Sequence, residues 1–158
     1  MLNIFPYLDV LAIDEFPASL RLLEGRLAMA GFAQVEGAKG ALMAAQKLSK
    51  RSYHIAFVAL EMWEIDGLEF LDYMRQESKL QSTLRVAVSD DGSVRRRTSA
   101  IKAGADAFLS RPFSPELIRN TLTNLLSSPV ARRGLVIPLT SAQGRRGCHR
   151  SVPGFYNQ

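Results

Sequence analysis

Cysteine occurs once among the 158 residues, at Cys148, so an internal disulfide scaffold is excluded. No CxxC pair and no Cys/His spacing suits zinc, which removes a structural metal as well. There is no run of eighteen apolar residues, and the start, MLNIFPYLDVLAIDE, has neither a basic n-region nor a small-residue cleavage site. The chain therefore reads as cytoplasmic, with no membrane insertion. Nor is it poor in core-forming residues: 47% are hydrophobic and 22% charged, which excludes wholesale disorder and a fibrous class. At this length it holds one core and at most one appendage.

Lysine and acid are both absent from residues 127–158, yet this stretch carries Arg132, Arg133, Arg145, Arg146 and Arg150. Those five account for the whole net charge of +5, because the 15 basic residues before them balance all 15 acids. The expected division is a neutral folded domain over residues 1–126 and an arginine-rich tail over 127–158. Such a distribution suggests a local anion site in place of a generally basic nucleic-acid binder.

Within the first part, apolar runs alternate with helical spacing. Asp9 to Ile13 reads as a buried strand ending at Asp14 and Glu15. Pro17 to Ala30 has Leu20, Leu23, Leu27 and Ala30 on one side, with Pro at the start and Gly31 past the end, as a helix requires. The spacing then predicts strands at 33–36, 55–59, 84–88 and 107–110, and helices at 38–49, 67–77, 93–103 and 114–126. Five buried strands separated by helices imply a doubly wound α/β domain with a five-stranded parallel sheet covered on both faces. In such a sheet the functional crevice lies at the carboxyl ends of the strands. Those ends carry Asp14 and Glu15, Ala59 to Glu61, Ser89 and Asp90, and Arg111. His54, just before the third strand, reads as a surface residue.

The motifs LAIDE (11–15), IDGLEFL (65–71), VAVSDD (86–91) and AGADAFLSRPF (103–113) together resemble the CheY-like receiver domain of two-component response regulators. The resemblance covers residues 8 to about 126 and implies the flavodoxin-like receiver fold. It also implies a phosphoryl-accepting aspartate eight residues before Gly67, and that position is Ala59. A methyl group is no nucleophile, whereas phosphoryl transfer needs a carboxylate oxygen in line with the donor phosphorus. Asp14 and Glu15 match the family's paired acids, which hold Mg²⁺ together with the missing aspartate, so any Mg²⁺ should bind weakly. Arg111 replaces the family's active-site lysine, and the two cations are not interchangeable. Trp63 stands where a proline is usual, Ser89 keeps the hydroxyl position, and Phe108 replaces a common tyrosine. These departures suggest a degenerate phosphorylation pocket (Asp14, Glu15, Ala59, Ser89, Arg111) in a noncatalytic pseudo-receiver. Glu61 and Asp66 match non-acceptor positions. The family's partner face, including its flagellar motor switch contact, would here include Arg95, Arg96, Arg97, Lys102, Phe108 and Arg119.

Ser127-Ser128-Pro129 ends the last helix, because proline cannot continue the ladder. The remainder is rich in Gly, Ser and Arg and reads as disordered on its own, with Leu135 to Ile137 as its one apolar run. It repeats Arg-Arg-Gly at 132–134 and 145–147. Paired guanidinium donors fit the O6 and N7 acceptors of guanine, at roughly 1–3 kcal/mol of discrimination per bidentate contact. They also fork onto phosphate. Two such units suit cyclic di-GMP. A receiver without its acceptor and with this extension resembles the Cle family of CheY-like cyclic di-GMP effectors. That resemblance implies cyclic di-GMP on Arg132, Arg133, Arg145, Arg146 and Arg150, recruitment to the flagellar motor at the cell pole, and control of motility and surface attachment. Two other readings stay open: an adaptor whose tail binds nucleic acid, with RNA expected over DNA, and a receiver phosphorylated at an unusual acceptor. Cys148 reads as a spectator thiol.

Overall fold

The computed structural model describes residues 3–128. Five strands, β1 (Asp9–Ile13), β2 (Gln34–Ala38), β3 (Ile55–Ala59), β4 (Leu84–Ser89) and β5 (Ala107–Ser110), form one parallel sheet in the order β2-β1-β3-β4-β5. Five helices connect and follow them: α1 (Pro17–Ala30), α2 (Ala41–Lys50), α3 (Gly67–Gln76), α4 (Val94–Ala103) and α5 (Pro115–Leu126). Helices cover both faces of the sheet. Every residue of β3 and β4 is accordingly buried, and each fully enclosed Leu, Ile or Phe contributes about 1.5–3 kcal/mol.

On one face Leu20, Leu23 and Leu27 of α1 meet Ile118 and Leu122 of α5 over Val10, Phe57 and Val88. On the other, Ala44 and Leu48 of α2, Leu71 and Met74 of α3 and Ala100 of α4 close over Leu11, Val58 and Ala87. Helix starts are set by local chemistry. The Ser93 hydroxyl accepts the Arg96 N–H at 3.1 Å, and Ser114 accepts that of Leu117 at 3.0 Å, satisfying donors that the first turn leaves open. Gly31 and Gly104 end α1 and α4 in the left-handed region, at φ 114° and 119°.

Two expectations shift. The second strand runs to Ala38, not Glu36, and α2 starts at Ala41, because Ala38 pairs with Ile13 and Gly40 makes the turn at φ 106°. The strand continues through Gly37, which pairs with Ala12 of β1 and lies beneath the Glu24 and Leu20 side chains of α1. His54 is not a surface residue: its side chain is 15% exposed and Nδ1 accepts the Asp9 N–H at 2.8 Å. Its carbonyl also accepts the Leu84 N–H, so the residue stitches β1 to β4 beneath β3.

Candidate functional site

The carboxyl ends of β1, β3, β4 and β5 deliver a compact polar cluster. Asp14 follows β1 and is 1% exposed. Its Oδ1 accepts the Phe16 N–H at 3.0 Å, and its Oδ2 accepts Arg111 Nη2 at 2.9 Å. Burial pushes the Asp14 carboxyl above its ordinary pKa, and the Phe16 N–H and Arg111 only partly offset that. Arg111 follows β5, where its backbone N–H donates to the Ser89 carbonyl at 2.8 Å, so the sheet ladder itself aims its side chain. Arg111 Nη1 then reaches Asp90 Oδ1 at 3.2 Å and Glu61 Oε1 at 3.8 Å.

Glu61 is the second centre. Its carboxylate accepts the Ser89 hydroxyl at 2.6 Å, Arg96 Nη2 at 3.0 Å and the Asp90 N–H at 3.2 Å. Burial raises its pKa, but Ser89, Arg96 and the Asp90 N–H together outweigh that and hold it below the usual glutamate range. The side chain, leaving the end of β3, thereby pins the β3–α3 loop to the first turn of α4. Ser89 is wholly buried and also accepts the Asp91 N–H at 3.0 Å, so its hydroxyl is held from two sides.

The remaining expected pocket residues stand differently. Ala59 lies at the end of β3, 1% exposed, and offers only a methyl group. Glu15 does not join Asp14 on the guanidinium; its carboxylate accepts the Trp63 backbone N–H and clamps the β3–α3 loop. Asp66 caps α3 by accepting the Leu68 N–H at 3.1 Å.

The residues of the expected partner face stand in different surroundings. Arg95 and Lys102 are exposed on α4. Arg96 is not free there, because Glu61 holds it. Phe108 is 6% exposed and belongs to the core, its ring covered by the Arg97 guanidinium 5.0 Å away. Arg119 is turned toward α1, where Nη1 donates to the Ala30 carbonyl at 2.8 Å. The sequence reading missed the part played by Glu61. The available signal was a carboxylate two residues past one buried strand, facing a serine at the end of its neighbour. Arg132, Arg133, Arg145, Arg146, Arg150, Leu135 to Ile137 and Cys148 lie outside the described residues.

Residues 10–123 match the response regulator receiver domain. The chain belongs to the response regulator receiver family. Its sheet order and five flanking helices are those of the CheY-like, flavodoxin-like fold. Among relatives of this receiver, the response regulator Rre1 of Synechocystis is 28% identical over 120 residues, 76% of this chain and 52% of that protein. This receiver thus spans about half the length of that relative. The chemotaxis protein CheY homolog of Campylobacter jejuni is 24% identical over 122 residues, 77% of this chain and 94% of that one. The chemotaxis protein CheY4 of Vibrio cholerae superposes with a TM-score of 0.68 at 26% identity, covering 75% of this chain and 98% of that structure. No helix among the described residues is long and apolar enough to cross a membrane.

Proposed function

We propose that this receiver works without phosphoryl transfer, as a noncatalytic effector that takes cyclic di-GMP on its tail arginines and then acts on a protein partner, the flagellar motor switch. The observation that carries the first half is Ala59 at the acceptor position, beside an Asp14 carboxylate already bound by Arg111. Transfer needs a carboxylate oxygen free to attack phosphorus in line, and the nearest candidate, Glu61, is spent on Ser89, Arg96 and the Asp90 N–H. The residues present do not fit a Mg²⁺ site either. A hard divalent cation wants several carboxylate oxygens, whereas Asp14 faces a guanidinium and Glu15 a backbone N–H.

With covalent input gone, the second half rests on the tail. Arg132-Arg133-Gly134 and Arg145-Arg146-Gly147 supply two pairs of guanidinium forks, suited to two guanine edges and two phosphates. Ligand binding would then recruit the cytoplasmic protein to the flagellated pole and alter motility and surface attachment. Calorimetry with the full chain tests this: cyclic di-GMP should bind, linear dinucleotide and GTP should bind more weakly, and Arg145→Ala with Arg146→Ala should abolish the heat. Unchanged affinity in that double variant would sink the ligand assignment. Incubation with a small phosphodonor followed by intact mass spectrometry tests the other half, where a stable phosphoryl adduct would overturn it.

A further inference from the structure

The chain has one tryptophan, Trp63, and it is 80% exposed. Its ring is not stranded by disorder of the loop beneath it. The backbone N–H is held by the Glu15 carboxylate, and Phe16 supports the indole edge to face at 5.5 Å. Phe16 is itself 37% exposed. A rigidly presented aromatic pair with one open ring face is a surface prepared for contact. Three acids belong to the same loop region: Glu15 holds the Trp63 backbone N–H, Glu64 is the next residue and Asp66 caps α3. None of these three is in an ion pair among the described residues, and the nearby cations Arg96 and Arg111 are engaged by Glu61, Asp14 and Asp90. The patch is therefore aromatic and anionic, which is the chemistry that attracts a guanidinium onto a ring face.

We propose that Trp63, Phe16, Glu15, Glu64 and Asp66 form a docking patch for this chain's own segment Arg145-Arg146-Gly147, so that the patch and the guanine ligand compete for the same arginines. The reading of the tail as the cyclic di-GMP site supplies the competitor; the docking itself stands without it. Charge complementarity selects the occupant, since residues 127–158 contain five arginines and no acid. Reach permits it. The twelve residues of α5 carry the chain about 18 Å back from the carboxyl ends of the strands, where the patch lies. The seventeen residues from Pro129 to Arg145 can reach at most about 60 Å. Arginine suits the partner better than lysine would, because its planar cation stacks on indole while its N–H groups reach the flanking carboxylates.

Because Trp63 is the sole tryptophan, its fluorescence reports the contact directly in the full chain. Acrylamide quenching of Trp63 is expected to rise in the Arg145→Ala, Arg146→Ala double variant and in high salt. Cyclic di-GMP added to the wild type should produce the same rise, with no further change in the double variant. A patch occupied in half to nine-tenths of molecules weakens ligand binding about twofold to tenfold, so Trp63→Ala should tighten calorimetric affinity by that factor. Equal quenching in wild type and double variant overturns the proposal. So does protection that grows with protein concentration, which would assign the occupant to a second chain. If cyclic di-GMP shows no heat while the double variant still exposes Trp63, the docking holds and the ligand assignment falls.

Discussion

Arg111 Nη2 lies 2.9 Å from Asp14 Oδ2, joining residues 97 apart in sequence at the carboxyl ends of β5 and β1. One partner is 1% exposed at its side chain and the other 18%, so this is a buried pair and not a surface contact. Its energetic weight lies less in the attraction than in what either partner would suffer alone.

Replacing Arg111 by alanine strips the cation from a carboxylate that has no access to water. Breaking a buried pair usually costs about 3–5 kcal/mol. Here we expect the lower end, about 3 kcal/mol, because the Phe16 N–H still donates to the Asp14 carboxylate after the guanidinium is gone. Arg111→Lys should lose less, since an ammonium keeps the charge but not the fork that also reaches Asp90 and Glu61. Urea denaturation of the two variants beside the wild type measures both, and a stability loss within error for Arg111→Ala would contradict the account.

Asp14 and Glu61 should answer to acid with opposite signs. The folded pKa of Glu61 is lowered, so its contribution is fully present above the ordinary value of 4.5 and is lost as pH falls through the folded value. Asp14 is raised, so the stability it permits declines as pH rises from 3.8 through its folded value. The gap in stability between wild type and Glu61→Gln should therefore be open above pH 4.5 and close on acidification. Urea midpoints taken across that range decide it; a gap independent of pH would show that Glu61 acts through shape alone.

Much of this was legible in the sequence because its causes are local. Leu20, Leu23, Leu27 and Ala30 fall on one helical face, Pro17 and Gly31 bracket it, and α1 has those bounds. The apolar run Ile55–Ala59 is β3 without adjustment. Boundaries failed where a long-range contact overrode composition, as at Gly37, which belongs to β2 because it pairs with Ala12 of β1. The site divided the same way. Ala59, Ser89 and Asp14 could be placed by position along strands, but the partners of Glu61 lie 28 and 35 residues away and emerge only when the loops are folded together. Arg96 and Arg119 read as free cations because the sequence does not show that one meets a carboxylate and the other a helix carbonyl terminus.

The Glu61 contacts should also be visible in dynamics. Glu61→Ala leaves the Ser93 cap and the α4 ladder intact but removes the tether from Arg96 and the Asp90 N–H. Charge-assisted hydrogen bonds contribute about 1.5–3 kcal/mol when enclosed, and the half-open mouth reduces that to about 1.4 kcal/mol, a tenfold change. Amide exchange at Arg96 and Arg97, whose N–H groups Ser93 accepts, should accelerate by roughly that factor while α1 is unaffected. Uniform acceleration across the domain would instead mean a global loss of stability.

Tight contact between α3 and β3 should be equally sensitive. A Cβ on Gly67 would fall 2.5 Å from Leu60 Cα and press on the Ala59 carbonyl, both backbone atoms that cannot swing aside. Gly67→Ala should cost about 2–3 kcal/mol through displacement of the α3 start, despite the better helix propensity of alanine. Thermal or urea unfolding checks the sign. A neutral or stabilising result would mean that the β3–α3 loop gives way more easily than its bonds to Glu15 and Leu60 suggest.

Restoring a carboxylate at position 59 isolates what that methyl group does. Ala59 is buried at the end of β3, on the strand hydrogen-bonded beside β1, whose exit carries Asp14. Ala59→Asp adds a further acid near Asp14, whose pKa burial has already raised, while Arg111 is already shared among Asp14, Asp90 and Glu61. The variant should be less stable than wild type at neutral pH by about 1–3 kcal/mol and should recover on mild acidification. A third carboxylate also completes an oxygen set that a divalent cation accepts. Mg²⁺ should therefore raise the urea midpoint of Ala59→Asp, by about 1.4 kcal/mol at tenfold excess over its dissociation constant, and leave the wild type unmoved. Equal stabilisation of both proteins by Mg²⁺ would show that Asp14 and Glu15 bind the ion unaided, and that Arg111 yields to it.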